Sequence, residues 1–360
     1  MKKYPLLQLN KNKLTYNVSS IVNRCSNFNI SVAGVIKGAN GMDDVIDCFI
    51  KGNVKQIASS RFEQLKKVKE INNTIPTMMI RIPMLSEIEE IIKYCDYSVN
   101  SEIKVLEKLN EEAKKQNKKH KVIIMADLGD LREGYIDYDE LVNVSLYVEN
   151  NLNNLVLSGI GTNLGCYGSI KPDINNLTKL GNIANSIEEK INRELEIVSG
   201  GATSSIPLVY NKTIPSKINH LRIGEGILLN MDLPELWDVE TGLNNDAFIL
   251  KAEIIEKKDK PSYPIGEIFI DAFGNRPTYT DIGIRTKVLL GIGKQDIGDF
   301  DKLIPLDDRI KLIGASSDHL IADITDCKDD YDIGDIIEFK LYYQALLFSS
   351  QSEYVKKESV

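Results

Sequence analysis

The chain is poor in the residues that build metal centres and disulfide frameworks. It contains three histidines and five cysteines in 360 residues. No two histidines lie at the spacing of metal ligands and no Cys-x-x-Cys pair occurs, so we expect no metal site. The cysteines are odd in number and widely scattered, which is typical of a reduced, cytoplasmic protein; they are Cys25, Cys48, Cys95, Cys166 and Cys327.

Long apolar segments and an excess of positive charge are also missing. The longest apolar runs, such as residues 247–250, are far too short to cross a bilayer, and none follows the basic N-terminus as in a secretory signal. We therefore expect no membrane partner. With 44 basic and 52 acidic side chains, the net charge of −8 argues against a nucleic acid partner. P-loop and Gly-x-Ser-x-Gly motifs are absent, which disfavours P-loop enzymes and serine hydrolases.

A regular alternation of strand-like and helix-like segments runs through residues 30–230. Short β-branched runs predict strands at 30–36, 54–58, 77–82, 96–99, 122–127, 155–162, 195–199 and 221–224. Apolar residues at three-to-four spacing predict helices at 43–51, 61–70, 87–94, 101–117, 138–150, 174–193 and 206–210. This repetition predicts an α/β fold, a (β/α)8 TIM-like barrel. An open doubly wound sheet is the alternative, but it would need a nucleotide fingerprint that residues 37–41 do not match.

The last third of the chain has a different pattern. Short alternating runs separated by turns predict strands at 247–255, 267–270, 286–292, 310–313, 320–324 and 336–342. We therefore predict a barrel over residues 1–235 and a C-terminal mostly-β domain over residues 236–360. Residues 1–9 are candidates for pairing with the C-terminal domain.

Cationic and hydroxyl side chains follow the predicted strands, where barrels carry their functional residues. Lys37 ends the first strand, and residues 199–205 form a turn rich in glycine and hydroxyl groups. Glycines let backbone N–H groups approach a phosphate and hydroxyls add donors, so this turn is the best phosphate candidate. A lysine in a partly dry site loses proton affinity and can form a Schiff base with an aldehyde. Alternatively, Lys37 simply extends from the strand end into solvent.

These residues resemble the alanine racemase-like family of PLP-dependent barrel enzymes, which also contains ornithine and diaminopimelate decarboxylases. Lys37–Gly41 is similar to the Lys-Ala-Asn segment with the PLP lysine, although Gly38 is an extra residue. Leu128–Gly134 is similar to the segment after the fifth strand that carries an arginine. Arg222-Ile223-Gly224 matches the Arg-x-Gly whose arginine faces the pyridine nitrogen. The segment Tyr342–Leu347 is similar to a C-terminal tyrosine segment that reaches the phosphate.

The resemblance covers almost the full chain and implies pyridoxal 5'-phosphate as cofactor. It also implies a head-to-tail homodimer whose two subunits share their active sites, with a small amino acid as substrate. The cofactor-binding residues that it implies are Lys37, Arg132, Asn163, Ser199, Gly201, Ala202, Thr203, Ser204, Arg222, Gly224 and Tyr343.

The chain departs from alanine racemase itself in three places, one of which is the absence of the tyrosine that follows the Lys-Ala-Asn segment there. The tyrosine that serves there as second base falls in a stretch equivalent to Asp271–Pro277, where Ala272 takes its position. Met125 stands where a modified lysine often sits. The segments Asp271–Asn275, Gly293–Asp296 and Gly314–His319 are instead similar to the ornithine racemase branch.

A carboxylate suits a substrate with a second amino group. Asp318 falls in a pattern that, in the related decarboxylases, holds the distal ammonium of ornithine from the partner subunit, and Ser317 replaces the decarboxylase cysteine. Both are therefore predicted to bind substrate. Aspartate also caps β-turns often, so a purely structural Asp318 is the alternative.

Racemisation needs an acid/base group on each face of the substrate Cα atom. Lys37 is predicted for one face. His319 is the leading candidate for the other, because imidazole titrates near neutrality, with Tyr279 and Cys166 as further candidates; His319 could equally be structural. Of the other histidines, His120 is expected to be solvated and His220 to be structural.

The sequence therefore predicts a PLP-dependent racemase, first of all of ornithine. The alternatives that remain open are a racemase of alanine or lysine and a PLP-dependent decarboxylase of basic amino acids. A non-catalytic PLP carrier and a small-molecule-binding barrel without PLP also remain.

Overall fold

A computed structural model describes residues 3–360 and divides the chain into two compact units. One unit is Lys11–Asn244, and the other joins the segment up to Asn10 to Asn245–Val360. The boundary follows Asn244 rather than residue 235 because the intervening segment is bonded to the first unit. Asn17 Nδ2 donates to the Asn244 carbonyl oxygen at 2.8 Å, and Asn17 Oδ1 accepts from the Asn244 backbone N–H at 2.8 Å.

The larger unit is a closed barrel of eight parallel strands, β2 to β9, in chain order. Strand β1 (Leu6–Leu9) precedes them in the chain and belongs to the other unit. All eight predicted strands are present: β2 (Ser31–Val35), β3 (Gln56–Ser59), β4 (Thr77–Met79), β5 (Tyr97–Asn100), β6 (His120–Met125), β7 (Leu155–Gly161), β8 (Ile197–Ser199) and β9 (His220–Ile223). Pairing of β2 with β9, from Ser31 opposite His220 to Gly34 opposite Ile223, closes the barrel. The predicted fold class is thereby confirmed.

Helices cover the barrel between successive strands. They are α1 (Lys11–Ser26), α2 (Asp43–Lys51), α3 (Phe62–Ile71), α4 (Ile88–Tyr94), α5 (Ile103–Lys115), α6 (Tyr138–Asn151), α7 (Ile174–Ile191), α8 (Ile206–Tyr210), α9 (Glu225–Leu228) and α10 (Asp232–Trp237). The predicted helices are present, and α1 was not predicted. Helix α7 begins at a reciprocal cap, in which the Asp173 carboxylate accepts the Asn176 N–H at 2.7 Å and Asn176 Oδ1 accepts the Asp173 N–H at 3.0 Å.

Apolar side chains hold the strand ends in place from both sides. The buried faces of the helices pack on the outside of the barrel, as Leu106 and Leu109 of α5 do, while Val35, Met78 and Ile123 fill its interior. Because this shell is close-packed, the strand ends form a rigid frame for the loops that follow them.

His120 is a correction to the sequence interpretation. Its side chain is buried rather than solvated, and its Nε2 atom lies 2.8 Å from Ser98 Oγ. Burial lowers the pKa of His120 to about 4, so the ring is neutral at physiological pH. The lysine-rich segment before it ends where β6 begins, and His120 shares its face of β6 with Val122 and Ile124, which pack under the helices.

The elements of the smaller unit are β10 (Phe248–Pro261), β11 (Ile284–Leu290), α11 (Lys294–Ile297), β12 (Leu303–Pro305), β13 (Lys311–Ala315), β14 (Leu320–Asp323), β15 (Ile336–Leu341), α12 (Tyr343–Gln351) and β16 (Lys356–Ser359). Its strands form an antiparallel sheet in the order β12-β15-β10-β11-β14-β13, with β1 paired to both β10 and β16. Strand β1 runs antiparallel to β10, with Leu6 opposite Lys251.

The strand predicted at residues 267–270 is absent. Because β10 pairs with β11 up to Pro261 opposite Ile284, residues 262–283 form the connection between these strands. Pro264 and Gly266 interrupt its start, and the side chains of residues 267–270 are exposed instead of packing in a sheet.

Two kinds of feature are absent from residues 3–360. None of their helices has the length and apolar character needed to span a membrane. Nor do these residues assemble three or more His, Cys, Asp or Glu side chains that could hold a metal ion.

Candidate functional site

Lys37 directly follows Ile36 at the C-terminal end of β2. The backbone N–H of Ile36 donates to the Ala58 carbonyl oxygen at 3.0 Å, so the chain stays fixed to β3 up to the lysine. Lys37 is half-buried. Burial lowers its pKa below the ordinary lysine value, and nearby Arg132 and Arg222 lower it further. A larger fraction of Lys37 is therefore the nucleophilic free amine at neutral pH.

Arg222 lies inside the barrel on β9. Its Nη2 atom donates to the Thr162 carbonyl oxygen at 2.7 Å, and its Nη1 atom donates to Ser199 Oγ. Gly161 lies next to this side chain, since a Cβ atom there would lie 3.4 Å from Arg222 Nη1. Burial lowers the pKa of Arg222 to about 10, so the guanidinium still carries its charge at neutral pH.

A chain of hydrogen bonds behind Arg222 fixes its orientation. Ser199 Oγ lies 2.9 Å from His220 Nδ1, and His220 Nε2 lies 2.9 Å from Gln56 Oε1. Because the Gln56 oxygen can only accept, Nε2 carries the proton and Nδ1 accepts the serine hydroxyl proton. Burial, assisted by Arg222, lowers the pKa of His220 to about 3, so the ring is neutral. Because the Ser199 hydroxyl donates to His220, its lone pairs face Arg222. His220 therefore has the structural role that the sequence predicted.

The turn after β8 offers backbone donors to an anion. Gly201 is buried with a φ of +108°, a conformation that favours glycine. Within residues 3–360, the N–H groups of Gly201 and Ala202 have no hydrogen-bond acceptor. Unpaired N–H groups in a concave turn are rare and attract anions. Thr203 Oγ1 accepts the Gly226 N–H at 3.1 Å and keeps its own proton to donate.

Two hydroxyls of this turn are already used within the protein. Ser204 Oγ donates to the Leu164 carbonyl oxygen at 2.8 Å, and Ser205 Oγ donates to the Gly200 carbonyl oxygen at 2.6 Å. These bonds shape the turn instead of pointing protons outward. The donors for an anion are therefore mainly backbone N–H groups, where the sequence suggested hydroxyls as well.

Gly224 ends β9 next to β2. A Cβ atom at this position would lie 3.2 Å from Val35 Cβ, so glycine permits the close approach. Thr162, at the end of β7, has a buried hydroxyl without a partner among the described residues, and so does the Asn100 side-chain oxygen at the end of β5. Buried polar atoms without partners are uncommon in a folded protein. Their presence at these strand ends is consistent with a site for a polar ligand.

Arg132 lies on the loop after β6 and forms an ion pair with Glu133. The Arg132 Nη2 atom lies 2.7 Å from Glu133 Oε1, and Nε contacts Oε2, so the pair is bidentate. This hydrogen bonding raises the pKa of Arg132 and holds its guanidinium plane in one orientation. Glu133 also opposes the lowering of the Lys37 pKa. The sequence interpretation missed Glu133, because neighbours in a chain seldom face each other.

Asp130 joins the Arg132 loop to the loop after β7. Its buried carboxylate accepts backbone N–H groups of Gly165 at 3.0 Å, Tyr167 at 2.9 Å and Ile170 at 3.3 Å. Burial opposes ionisation, but these bonds hold the pKa of Asp130 below its usual range. This residue too was missed; its signal was an aspartate among glycines in a loop with an arginine.

Cys166 is exposed on the loop that Asp130 holds. Asn163 Nδ2 lies 2.9 Å from Cys166 Sγ. The Cys166 side chain is among the groups that act on the pKa of Lys37, so these two residues are neighbours at the same barrel end. The structure thus places Lys37, Arg132, Cys166 and Arg222 near one another at one end of the barrel.

The predicted substrate residues lie in the smaller unit, on the turn between β13 and β14. Asp318 is exposed, and its carboxylate accepts Gln295 Nε2 at 2.6 Å and Ser317 Oγ at 2.7 Å. Ser316, not Asp318, makes the turn contacts, accepting the His319 N–H at 3.1 Å. Because no backbone N–H within residues 3–360 donates to the Asp318 carboxylate, these contacts do not support a turn-capping role.

Two segments singled out from the sequence meet here. The backbone N–H of Lys294 donates to the Ser316 carbonyl oxygen at 2.9 Å, and a Cβ atom on Gly293 would lie 2.1 Å from the Ser317 carbonyl oxygen. Gly293–Asp296 and Gly314–His319 therefore form one surface. His319 is exposed within it, with Nδ1 3.4 Å from Ser316 Oγ.

The remaining predicted residues are the two tyrosines of the smaller unit. Tyr343 is the first residue of α12 and is half-buried. Tyr279 is exposed on the connection between β10 and β11, and its ring lies edge-on to that of Tyr263, with centroids 6.4 Å apart.

The barrel carries a lysine with a lowered pKa at the end of its first strand and a buried arginine on its last strand. This protein is therefore a barrel protein whose cationic site suits a small anionic ligand. The family described as alanine racemase, N-terminal domain, matches residues 9–231. The chain belongs to this family, as the motifs of the sequence indicated.

Curated relatives match the chain over its full length. It is 45% identical to ornithine racemase of Acetoanaerobium sticklandii, covering 99% of both chains. It is 35% identical to lysine racemase of Thermotoga maritima, covering 98% of both chains. Among solved structures, alanine racemase from Streptomyces lavendulae superposes with a TM-score of 0.77 at 14% identity, over 100% of this chain and 98% of that one. The last likeness shows a shared fold.

Proposed function

We propose that this chain is a PLP-dependent amino-acid racemase that interconverts L- and D-ornithine. The proposal rests on the presence of two groups at one end of the barrel. Lys37 has an amine of lowered proton affinity, and Arg222 stays charged although it is buried. The full-length identity of 45% to an ornithine racemase supports the choice of substrate. Identity of 35% to a lysine racemase favours lysine as the second candidate.

The described residues fit pyridoxal 5'-phosphate. Lys37 supplies an amine for the aldehyde, and the unpaired N–H groups of Gly201 and Ala202 suit the phosphate, with Thr203 as a hydroxyl donor. Asn163, Ser199, Ser204, Gly224 and Tyr343 remain predicted cofactor-binding residues. When bound, PLP acts as an electron sink that acidifies the Cα–H bond of an amino acid.

Arg222 suits a racemase in particular. Next to the pyridine nitrogen of bound PLP, the Arg222 guanidinium would disfavour protonation of this nitrogen, because two adjacent positive charges repel. The cofactor would then be a weaker electron sink, which would limit side reactions. Ser199 and the Thr162 carbonyl oxygen hold Arg222 by both of its terminal nitrogens, so this orientation persists while substrate enters and leaves.

Proton transfer at Cα is assigned to two groups. The Lys37 amine takes or returns the proton on one face, which its lowered pKa favours near neutrality. His319 serves the opposite face, with Cys166 and Tyr279 as alternatives. Cys166 belongs to the same unit as Lys37, whereas His319 and Tyr279 belong to the smaller unit. Arg132, oriented by Glu133, is available for the substrate carboxylate or the cofactor.

Asp318 and Ser317 are assigned to the distal ammonium of ornithine. The Asp318 carboxylate is exposed, and it is oriented by Gln295 and Ser317 without a cationic partner within 4 Å among the described residues. An ammonium brought out of water needs such a counter-charge, since leaving it unpaired costs several kcal/mol. Alanine has no group to meet this carboxylate.

A head-to-tail homodimer is part of the proposal, with Asp318 and His319 reaching the site of the partner subunit. The connection between β10 and β11 exposes large apolar side chains, including Ile265 at 91%, Phe269 at 69% and Ile282 at 60%. Clusters of this kind mark interaction surfaces. The proposed location is the cytoplasm, which the five free cysteines support.

The proposal is tested by incubating the PLP-loaded protein with each enantiomer of ornithine, lysine and alanine, followed by chiral chromatography. We expect both ornithine enantiomers to approach an equal mixture, ornithine to react faster than lysine, and alanine to react least. The Lys37→Ala variant should lose about 10³-fold in rate. Faster lysine turnover would reassign the substrate, and no inversion of any of the three would refute the racemase.

A further inference from the structure

A cavity lies at the end of the barrel opposite to Lys37. Its volume is about 390 Å³, within the range of small-ligand sites. It forms where β4, β5 and β6 begin, with Pro76, Asp96 and Tyr97 among its walls. Lys37 and Arg222 instead stand at the ends where strands finish, so this cavity is separate from the proposed active site.

The walls of this cavity are strongly cationic, although the chain carries a net charge of −8. Among the described residues that line it, the one acidic side chain is Asp96. The lining contains five lysines, namely Lys69, Lys93, Lys118, Lys119 and Lys121. A concave surface lined by charges of one sign concentrates ions of the other sign.

Two of these lysines have carboxylate partners. Lys69 Nζ lies 2.6 Å from Asp96 Oδ2. Lys121 Nζ lies 2.8 Å from Glu196 Oε2 and also contacts the Tyr97 hydroxyl at 2.8 Å. Their charges are therefore largely balanced within the protein.

The other three lysines keep unbalanced charges. Lys118 Nζ donates to the carbonyl oxygens of Ile92 and Lys93 at 2.9 Å each, and Lys119 Nζ donates to that of Asn153. Lys93 Nζ lies 5.3 Å from the centroid of the Tyr94 ring. Within residues 3–360, no carboxylate oxygen lies within 4 Å of these three ammonium groups.

Carbonyl oxygens and an aromatic face engage ammonium protons but do not neutralise the charge. Lys118, for example, satisfies the last carbonyl groups of α4 and still adds a full positive charge to the cavity. Three such charges around a small volume suit a compact ligand with several negative charges, and the ammonium group binds phosphate as a point charge. The Tyr94 ring adds a flat surface in the same wall.

We propose that this cavity binds a phosphate-bearing anion of the size of pyrophosphate or a nucleoside diphosphate. Its ammonium groups replace the counter-ions of the ligand, so added salt weakens binding. The site lies in the barrel unit alone and operates whether or not the chain is a racemase.

Calorimetric titration of the PLP-loaded protein with pyrophosphate, and separately with ADP, tests this proposal. The test variant is Lys93→Gln/Lys118→Gln/Lys119→Gln. The matched control is Lys55→Gln/Lys104→Gln/Lys190→Gln, which removes the same charge from exposed lysines elsewhere. We expect saturable binding to wild type and control, and at least tenfold weaker binding to the test variant. Tighter binding of ADP than of pyrophosphate would identify a nucleotide as the source of the phosphate, and equal binding would identify the phosphate group alone.

The proposal is overturned if wild type shows no saturable heat with either ligand, or if the test variant binds as wild type does. Equal weakening in both variants would also overturn it, because net charge and not the cavity would then determine affinity. Circular dichroism checks that the triple variant is folded. If it is not, the single Lys93→Gln variant provides the comparison, since its ammonium is held by a ring contact and not by backbone oxygens.

Discussion

The Asp130 carboxylate accepts a hydrogen bond of 3.0 Å from the backbone N–H of Gly165, a residue on the loop after the next strand of the barrel. Through this bond and those from Tyr167 and Ile170, the loop that carries Arg132 and the loop that carries Cys166 form one connected structure. Asp130 therefore positions two groups that surround Lys37 without itself being the group that reacts.

We predict that Asp130→Asn loosens the loop after β7. The side-chain NH2 group of asparagine would face backbone N–H donors that the Asp130 carboxylate now accepts. A hydrogen bond to a charged group contributes about 1.5 to 3 kcal/mol to stability. Backbone amides of residues 165–170 should exchange with deuterium about tenfold faster or more, since tenfold corresponds to about 1.4 kcal/mol. Asp173→Asn is the control, because its carboxylate also accepts a backbone N–H, at the start of α7. Unchanged exchange at residues 165–170 in the Asp130 variant would refute the role.

The same hydrogen bonds predict how the exchange protection of residues 165–170 depends on pH. The pKa of folded Asp130 lies below its usual range, so its stabilising contribution is complete above the ordinary aspartate range. It is lost as the pH falls through the lowered pKa. Exchange protection of residues 165–170 should therefore be flat from neutral to mildly acidic pH and decline only in stronger acid.

Ser199→Ala should destabilise the barrel by about 2 kcal/mol. The change removes the hydroxyl that meets both Arg222 and His220, and it leaves a buried guanidinium donor without a partner. Urea unfolding measures the difference in free energy of unfolding. Ser145→Ala is the matched control, because this buried hydroxyl donates to the Leu141 carbonyl oxygen within α6 and its loss should cost less than about 1 kcal/mol. Equal costs for the two variants would contradict the argument.

Two variants should shift the pKa of Lys37 in opposite directions. Arg132 lowers this pKa and Glu133 raises it. Arg132→Gln should therefore move the pKa of the amine upward, and Glu133→Gln should move it downward. The pH dependence of the rate at which apo-protein reacts with PLP measures the fraction of free amine. Shifts of the same sign would show that these charges do not act on Lys37 as the structure indicates.

Asp318→Asn should raise KM for ornithine about tenfold to a hundredfold while leaving KM for alanine within about twofold. The reason is the loss of a charge-assisted bond to an ammonium group that alanine lacks. Asp301→Asn, which removes an exposed carboxylate paired with Lys302, should change neither value. Equal effects on ornithine and alanine would rule out the role of Asp318 in binding the ammonium.

Much of the barrel was predictable because its strands are buried on both faces. The segment 122–126 is a continuous apolar run, and Lys37 and Arg222 lie directly after the predicted strand 30–36 and within the predicted strand 221–224. Helix α1 escaped prediction although Leu14, Val18 and Ile21 have helical spacing and are buried. The strand expected at 267–270 failed because apolar composition alone does not provide a pairing partner.

The parts of the site that could not be predicted depend on contacts between loops. Nothing in the sequence shows that Asp130 reaches residues 165–170, since these bonds join positions about forty apart. His120 was misjudged for a similar reason, because the lysines before it are exposed while β6 buries its ring between the barrel and the helices. Local composition predicts that a segment is a loop, but the fold determines which residues that loop contacts.

The racemisation of ornithine is tested most directly by proton NMR of L-ornithine in D2O with the PLP-loaded protein, followed by chiral analysis of the same sample. We expect loss of the Cα–H signal together with a mixture of D- and L-ornithine. We also expect Lys37→Ala to leave the signal in place. An unchanged Cα–H signal with the loaded wild-type protein, or the appearance of putrescine, would show that the protein is not an ornithine racemase.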